Sequence, residues 1–188
     1  MKPKCIIYNT LLATVVLAGC APGVSSYINQ DVDFSYIQRV AVFPFENLTS
    51  DNQAGPKVES VFLGELLEVE GIRVVAPGET RATVYSLRLP LTADLAAEEI
   101  VALGEALGVE AIFFGKIEEY GIRADSRDRA NAVTASFSLA ETVTGTMIWR
   151  AQVSEDGGSV WRKIFGGGSA SMYDVTRGSV RDALGTLF

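Results

Sequence analysis

Few side chains in this sequence can do chemistry, and their types limit what that chemistry can be. There is no histidine. That removes imidazole metal sites, Ser-His-Asp and Cys-His catalysis, and the usual titrating switch near neutral pH. Two cysteines remain, Cys5 and Cys20, the second at the end of Leu17-Ala18-Gly19-Cys20. The carboxylate pairs are Glu98-Glu99 and Glu118-Glu119. Adjacent residues point to different faces of a helix or strand, so neither pair aims two acids at one bond, and both read as solvated surface. Gly166-Gly167-Gly168-Ser169 precedes an expected helix. It lacks the Lys-Ser/Thr of a P-loop and the spacing of a dinucleotide fingerprint, so it reads as a connection. Trp149 and Trp161 can anchor a partner, as aromatics often do. Trp149, in a hairpin strand, is expected in the core. Trp161, beside Arg162-Lys163 and ahead of Phe165 and the glycines, is expected to be partly exposed, and an interface role for it stays open. Asp125-Ser126-Arg127-Asp128-Arg129 can dock electrostatically, but reads first as a solvated charged loop within Arg123–Arg129. No residue is assigned a catalytic, cofactor-binding or metal-binding role, and no small-molecule substrate is evident.

The N-terminus reads as an address. Lys2 and Lys4 give a positive start, and an apolar stretch runs from Cys5 to Leu17, broken by Tyr8, Asn9 and Thr10. At roughly 15 residues it is short of the ~20 that span a bilayer but suits an export signal. With Leu17-Ala18-Gly19-Cys20 it resembles a bacterial lipoprotein signal at all four lipobox positions. The resemblance implies diacylglyceryl transfer to the Cys20 thiol, cleavage after Gly19 and acylation of the new α-amino group, with palmitate among the chains. Only a thiol can form that thioether. Each buried CH₂ contributes ~0.8 kcal/mol, so two or three chains make a stable anchor where one does not. Ala21 rather than Asp follows the cysteine, which in enteric-type sorting implies the outer membrane, on its periplasmic side.

The chain has 188 residues, with 16 basic and 23 acidic side chains and a net charge of −7. Cleavage after Gly19 would leave 169 residues, remove Lys2 and Lys4, and bring the charge to −9. An acidic balance argues against nucleic-acid binding, which needs clustered Lys and Arg. Cleavage also removes Cys5, so no disulfide is expected within the mature chain. At 48% hydrophobic and 21% charged, the composition reads as globular.

Three regions follow. Residues 1–19 are the signal, residues 20–36 a lipidated flexible tether rich in Pro, Gly, Ser, Asn and Asp, and residues 37–188 one globular domain. The tether reaches at most ~55 Å extended and ~20–25 Å as a coil, which keeps the domain near its membrane. Arg39–Phe45 reads as a buried strand ending at Pro44. A helix beginning near Pro56 carries Val58, Val61, Phe62, Leu66 and Val69 and stops at Gly71. Ile72–Val75 is a second strand, and Glu79–Leu91 is ambiguous between a short helix and a loop. A helix after Thr92 carries Ala96, Ile100, Leu103 and Leu107 and closes on Gly108. Val109–Ile117 is a third strand. Ala132–Ala140 and Thr146–Val153 alternate and form a β-hairpin around Val143-Thr144-Gly145. Glu155–Ser159 reads as a loop. A final helix presents Tyr173, Val180, Leu184 and Leu187 on one face. The expectation is an α/β (α+β) domain, a mixed sheet with a parallel β-α-β-α-β core, a hairpin in the C-terminal half, and the last helix packed on the sheet.

Val40-Ala41-Val42-Phe43-Pro44-Phe45-Glu46-Asn47-Leu48-Thr49 resembles the opening strand of the curli secretion protein CsgG, of the TolB N-terminal domain and of lipoprotein activators of penicillin-binding proteins. Leu107-Gly108-Val109-Glu110-Ala111-Ile112-Phe113-Phe114-Gly115 resembles their "LGVDAVLxG" strand, with Glu110 for Asp. Glu119-Tyr120-Gly121, and Glu141 through Thr144-Gly145 to Trp149, resemble further elements of small periplasmic lipoproteins in this superfamily. The resemblance spans about residues 37–153. It implies a mixed sheet carrying helices and proteins that act by binding. The expected function is a non-enzymatic, lipid-anchored periplasmic lipoprotein serving envelope assembly, secretion or cell-wall maintenance. Its partners would be the membrane, envelope proteins, or copies of itself nearby. The alternative is a CsgG-like subunit of an outer-membrane secretion channel, for which one modest hairpin with Thr134, Ser136 and Ser138 on a face is thin provision.

Overall fold

A computed structural model describes residues 23–125, 128–157 and 170–188. The signal, Cys20, Ser126, Arg127, Trp161–Phe165 and the Gly166–Ser169 run lie outside the described residues. The order is β1 (Gly23–Ile28), a 3₁₀ turn (Phe34–Tyr36), β2 (Arg39–Val42), β3 (Glu46–Asn47), α1 (Ala54–Leu66), β4 (Arg73–Val74), α2 (Pro77–Ser86), α3 (Ala97–Leu107), β5 (Ala111–Asp125), β6 (Asp128–Glu141), β7 (Met147–Asp156) and α4 (Met172–Leu184).

One mixed sheet holds the strands in the order β1-β7-β6-β5-β2-β4, with β3 beside β5. β4, β2 and β5 are parallel, the expected β-α-β-α-β core. β6, β7 and β1 continue it antiparallel. β2 is apolar on both faces because helices cover both of its sides. Val40 and Val42 face α1, while Ala41 and Phe43 face α2 and α3. The strand ends before Pro44, which has no N–H for the ladder. α1 and α4 cover one side of the sheet, where Phe62 sits among Phe45, Phe113 and Phe137 with ring centroids 5.3, 5.3 and 5.1 Å away. α2 and α3 cover the other side over β4, β2, the start of β5 and the turn end of the β6–β7 hairpin at Ala140 and Met147, burying Val84, Ile100, Leu103 and Leu107 on Ile112 and Phe114.

α1 stops near Gly71 (φ +84°) and α3 on Gly108 (φ +62°), left-handed positions that favour glycine. The β6–β7 turn uses Gly145 (φ +70°), where a Cβ would also meet the Ala97 carbonyl oxygen at 2.4 Å. The ambiguous Glu79–Leu91 stretch is the helix α2 as far as Ser86, opened by Pro77 in its first turn.

Four expectations change. The segment 20–36 is not a tether throughout, because Gly23–Ile28 pairs with β7 over six positions. Its Val-Ser-Ser-Tyr-Ile core can alternate faces, and β7 offers an open ladder that satisfies its backbone. Val24, Val32 and Phe34 pack on the core, so described residues ahead of Ile37 belong to the packed structure. The described part of Arg123–Arg129 is strand rather than loop. β5 and β6 stay paired out to Asp125↔Asp128, because backbone pairing tolerates polar side chains that neither sheet face has to bury. Tyr173 lies off the packed face of α4, at 58% exposure, in the overhanging first turn. β7 also runs to Asp156, two residues into the expected loop at 155–159. Among the described residues, no helix is long and apolar enough to cross a membrane.

Candidate functional site

Among the described residues, the helices leave much of one surface of the sheet without cover. Across β1, β7, β6 and β5, the residues facing away from α1 and α4 form cross-strand rows. Tyr27, Arg150 and the buried Ser138 lie in one row, Ser25, Gln152, Ser136 and Lys116 in the next, and Gly23, Ser154, Thr134 and Glu119 in the third. Strict alternation produces this face. In β7 the buried residues Trp149, Ala151 and Val153 interleave with the exposed Arg150, Gln152 and Ser154.

Three ion pairs fix the charges at its β5 border. Lys116 Nζ lies 2.9 Å from Asp94 and 3.5 Å from Glu46. The hydrogen bond that Lys116 donates to Asp94 leads in raising the lysine above its ordinary value, and the same bond lowers the Asp94 carboxyl. Arg123 donates to both carboxylate oxygens of Glu119, through Nε at 2.9 Å and through the guanidinium tip. That hydrogen bonding is the main reason the Glu119 carboxyl lies below the usual range. Thr134 Oγ1 lies 3.2 Å from Glu119 and 3.2 Å from Ser154 Oγ. The face is therefore flat, rich in hydroxyls, and has its carboxylates occupied by cations. It can hydrogen-bond a flat polar partner. It does not bring two free acids to one point.

Glu119 is thus a partner of Arg123, while Glu118 is exposed. Glu99 accepts the Ala96 N–H at 2.8 Å at the start of α3, and Glu98 is exposed beside it. Neither sequence pair converges. Trp149 is fully buried, its ring 6.1 Å from Phe113 edge to face and its indole N–H donating to Thr186 Oγ1 at 3.0 Å. Two features were not foreseen. The β1 contribution to the face was hidden by the turn-forming residues around it. The Lys116–Asp94–Glu46 cluster joins segments separated by 22 and 70 residues, a spacing without a local signal.

Two depressions lie elsewhere. One of about 390 Å³ is apolar and lies between the 3₁₀ turn and the C-terminus, lined by Phe34, Ile37, Val40, Ile72 and Phe188. The other, about 470 Å³, lies between α1 and α4, with Lys57 5.5 Å over the Tyr120 ring.

No family model matches the sequence, and no curated protein matches it either. Solved structures do. A PelC dodecamer from Paraburkholderia phytofirmans is similar at 16% identity and a TM-score of 0.59, covering 89% of this chain and 97% of that one. Lipoprotein GNA1162 from Neisseria meningitidis is similar at 20% and 0.52, covering 68% and 90%. The hypothetical protein CT253 from Chlamydia trachomatis is similar at 12% and 0.55, covering 80% and 95%. The likeness is one of fold. At these identities function does not follow from it.

Proposed function

We propose that the chain is a lipid-anchored envelope lipoprotein, acylated at Cys20 and held on the periplasmic side of the outer membrane. It works by binding proteins, copies of itself among them, rather than by catalysis. The observation that carries this reading is a direct coupling. The folded sheet starts three residues after Cys20, and the first strand borders the uncovered polar face. An anchor so close holds that face at a set distance from one membrane. Confinement to two dimensions raises the effective concentration, so a polar interface of modest affinity suffices. The lipoprotein nature of one structural neighbour and the dodecamer formed by another support the reading, as does the sequence resemblance to the CsgG, TolB and activator superfamily.

Replacing Cys20 with serine removes the only atom able to form the thioether. Fatty-acid labelling should vanish and the protein should leave the membrane fraction. Labelling at the wild-type level would refute the anchor. Crosslinking from Gln152 and Ser136 in intact cells, read by mass spectrometry, should give a ladder of self-adducts or one envelope partner. A monomer without adducts would refute the binding role of the face.

The second reading, a channel subunit, draws on the length of the β5–β6 hairpin. Its part beyond the β7 pairing amounts to the pairs from Ile122↔Asn131 outward. A membrane-spanning strand needs ~9–11 residues, so this end is too short to cross alone.

A further inference from the structure

We propose that the apolar hollow beside Glu70 binds a small organic cation, a ligand with an apolar body and an ammonium head. The hollow lies on the side of the sheet that α1 and α4 cover, away from the polar face, and its occupation does not depend on what that face binds. It arises where the helix layer gives out. α1 ends at Leu66 and α4 at Leu184, and beyond them the sheet is roofed by shorter pieces: the 3₁₀ turn, Glu70–Ile72 and Leu187–Phe188. These pieces do not close over it. They leave about 390 Å³ above Val40, Phe113 and Leu139, within the ~300–1,000 Å³ of small-ligand pockets. Those three floor residues are at most 2% exposed, so the hollow stops on the sheet. A ligand lies mainly against the half-buried Phe34, Ile72 and Leu187 and the exposed Phe188. A water held there needs about two to four polar partners, which apolar walls do not offer, so an apolar body gains by displacing it.

Charge selects the head group. Among the described residues, the lining carries one ionisable side chain, Glu70, and no lysine or arginine. Glu68 is held by Arg177 and Arg181, whereas Glu70 is exposed and has no cation partner among the described residues. Arg39 and Arg73 are near in sequence but face the other way. They pair next to Val40↔Val74, and strand alternation sends them to the side opposite α1. Both long helices also end here. Glu70 follows the last residue of α1 by four and Leu187 follows that of α4 by three, so the negative ends of two helix dipoles adjoin the hollow. The exposed Ser35 and Gln38 add side-chain oxygens that accept from an N–H. A fatty acid or other anion would meet a carboxylate and two negative helix ends with no cation to hold it. An ammonium is attracted by both, and the Phe34 and Phe188 rings accept a cation over their faces.

The test uses the full-length protein in phosphatidylcholine nanodiscs, with empty nanodiscs as the blank. The probes are 2-phenylethylammonium, the neutral 2-phenylethanol and the anionic 3-phenylpropionate. Calorimetry should show saturable binding of the ammonium, roughly fivefold tighter than the alcohol and roughly tenfold or more tighter than the carboxylate. Glu70→Gln, at an exposed position, should keep the melting temperature while the lead of the ammonium over the alcohol falls below about twofold. Phe188→Ala, at a residue 54% exposed, should weaken all three probes together. Saturable binding of no probe would overturn the site. Binding of the carboxylate as tight as that of the ammonium, or a preference that survives Glu70→Gln intact, would overturn the charge assignment. A photocrosslinker in place of Phe188 covers the other occupant. Protein adducts formed there in intact cells and not displaced by 2-phenylethylammonium would mean that a partner's side chain fills the hollow, and would overturn the small-ligand assignment. None of these measurements reads the polar face or Cys20, so their failure leaves the proposed function standing.

Discussion

Replacing Glu65 with alanine cuts the carboxylate that ties α1 to α4. Glu65 is 8% exposed and accepts from Arg177 Nε and Arg181 Nε, both at 2.5 Å. Glu68 lies 3.6 and 3.4 Å from the same two guanidinium groups. Removing one partner of a fully buried pair costs about 3–5 kcal/mol. Here the arginines keep 36% and 52% of their exposure, so water and Glu68 recover part of that. The expected loss is about 2 kcal/mol, or roughly 4–8 °C in Tm for a domain of this size. The effect should depend on pH. Burial pushes the Glu65 carboxyl up, but the hydrogen bonds and attraction of Arg181 and Arg177 together outweigh it and hold the group below its ordinary value. Such a group stabilises the fold above its unfolded pKa, near ~4.3, and loses that contribution as pH falls. The gap between wild type and variant should be full at pH 7 and close below about pH 4, because the wild type weakens. Thermal melts followed by circular dichroism at several pH values measure both. A gap under about 1 °C at pH 7, or one that does not shrink in acid, would show that the clamp carries no net stability.

At Gly104 an added Cβ would meet the Thr142 Cβ at 2.2 Å, so Gly104→Ala should cost about 1–3 kcal/mol in a chemical melt. Gly64→Ala, with nothing within 4 Å, should stabilise by up to about 1 kcal/mol because alanine is the better helix former, and a loss there equal to that at Gly104 would show that the clash with Thr142 is not what decides. A chain beginning at Gly23 should melt higher than one beginning at Ile37. The shorter chain loses the β1 ladder and the partial burial of Val24, Val32 and Phe34, about 2–3 kcal/mol in all. Equal melting temperatures would return residues 23–36 to the role of a tether.

Much of this fold can be read from order and periodicity, because those signals are local. The apolar run at Val40–Phe43, the helical stripe of Ile100, Leu103 and Leu107, and the alternation of Trp149, Ala151 and Val153 each report a burial pattern that their own element satisfies. Cys20 and the residues ahead of it are likewise a local pattern, and the anchor proposed there comes from the sequence by itself. Three things were decided only by tertiary structure. Gly23–Ile28 carries weak strand propensity amid turn residues, and it becomes a strand because β7 presents an unpaired edge. The charged end of the hairpin is ordered by backbone pairing, which the side chains of Arg123 and Arg129 neither announce nor prevent. The polar face exists because α2 and α3 cover one end of the sheet and leave the other open. Which strand row a helix covers depends on contacts between residues far apart in the chain, and no spacing within a single element encodes that.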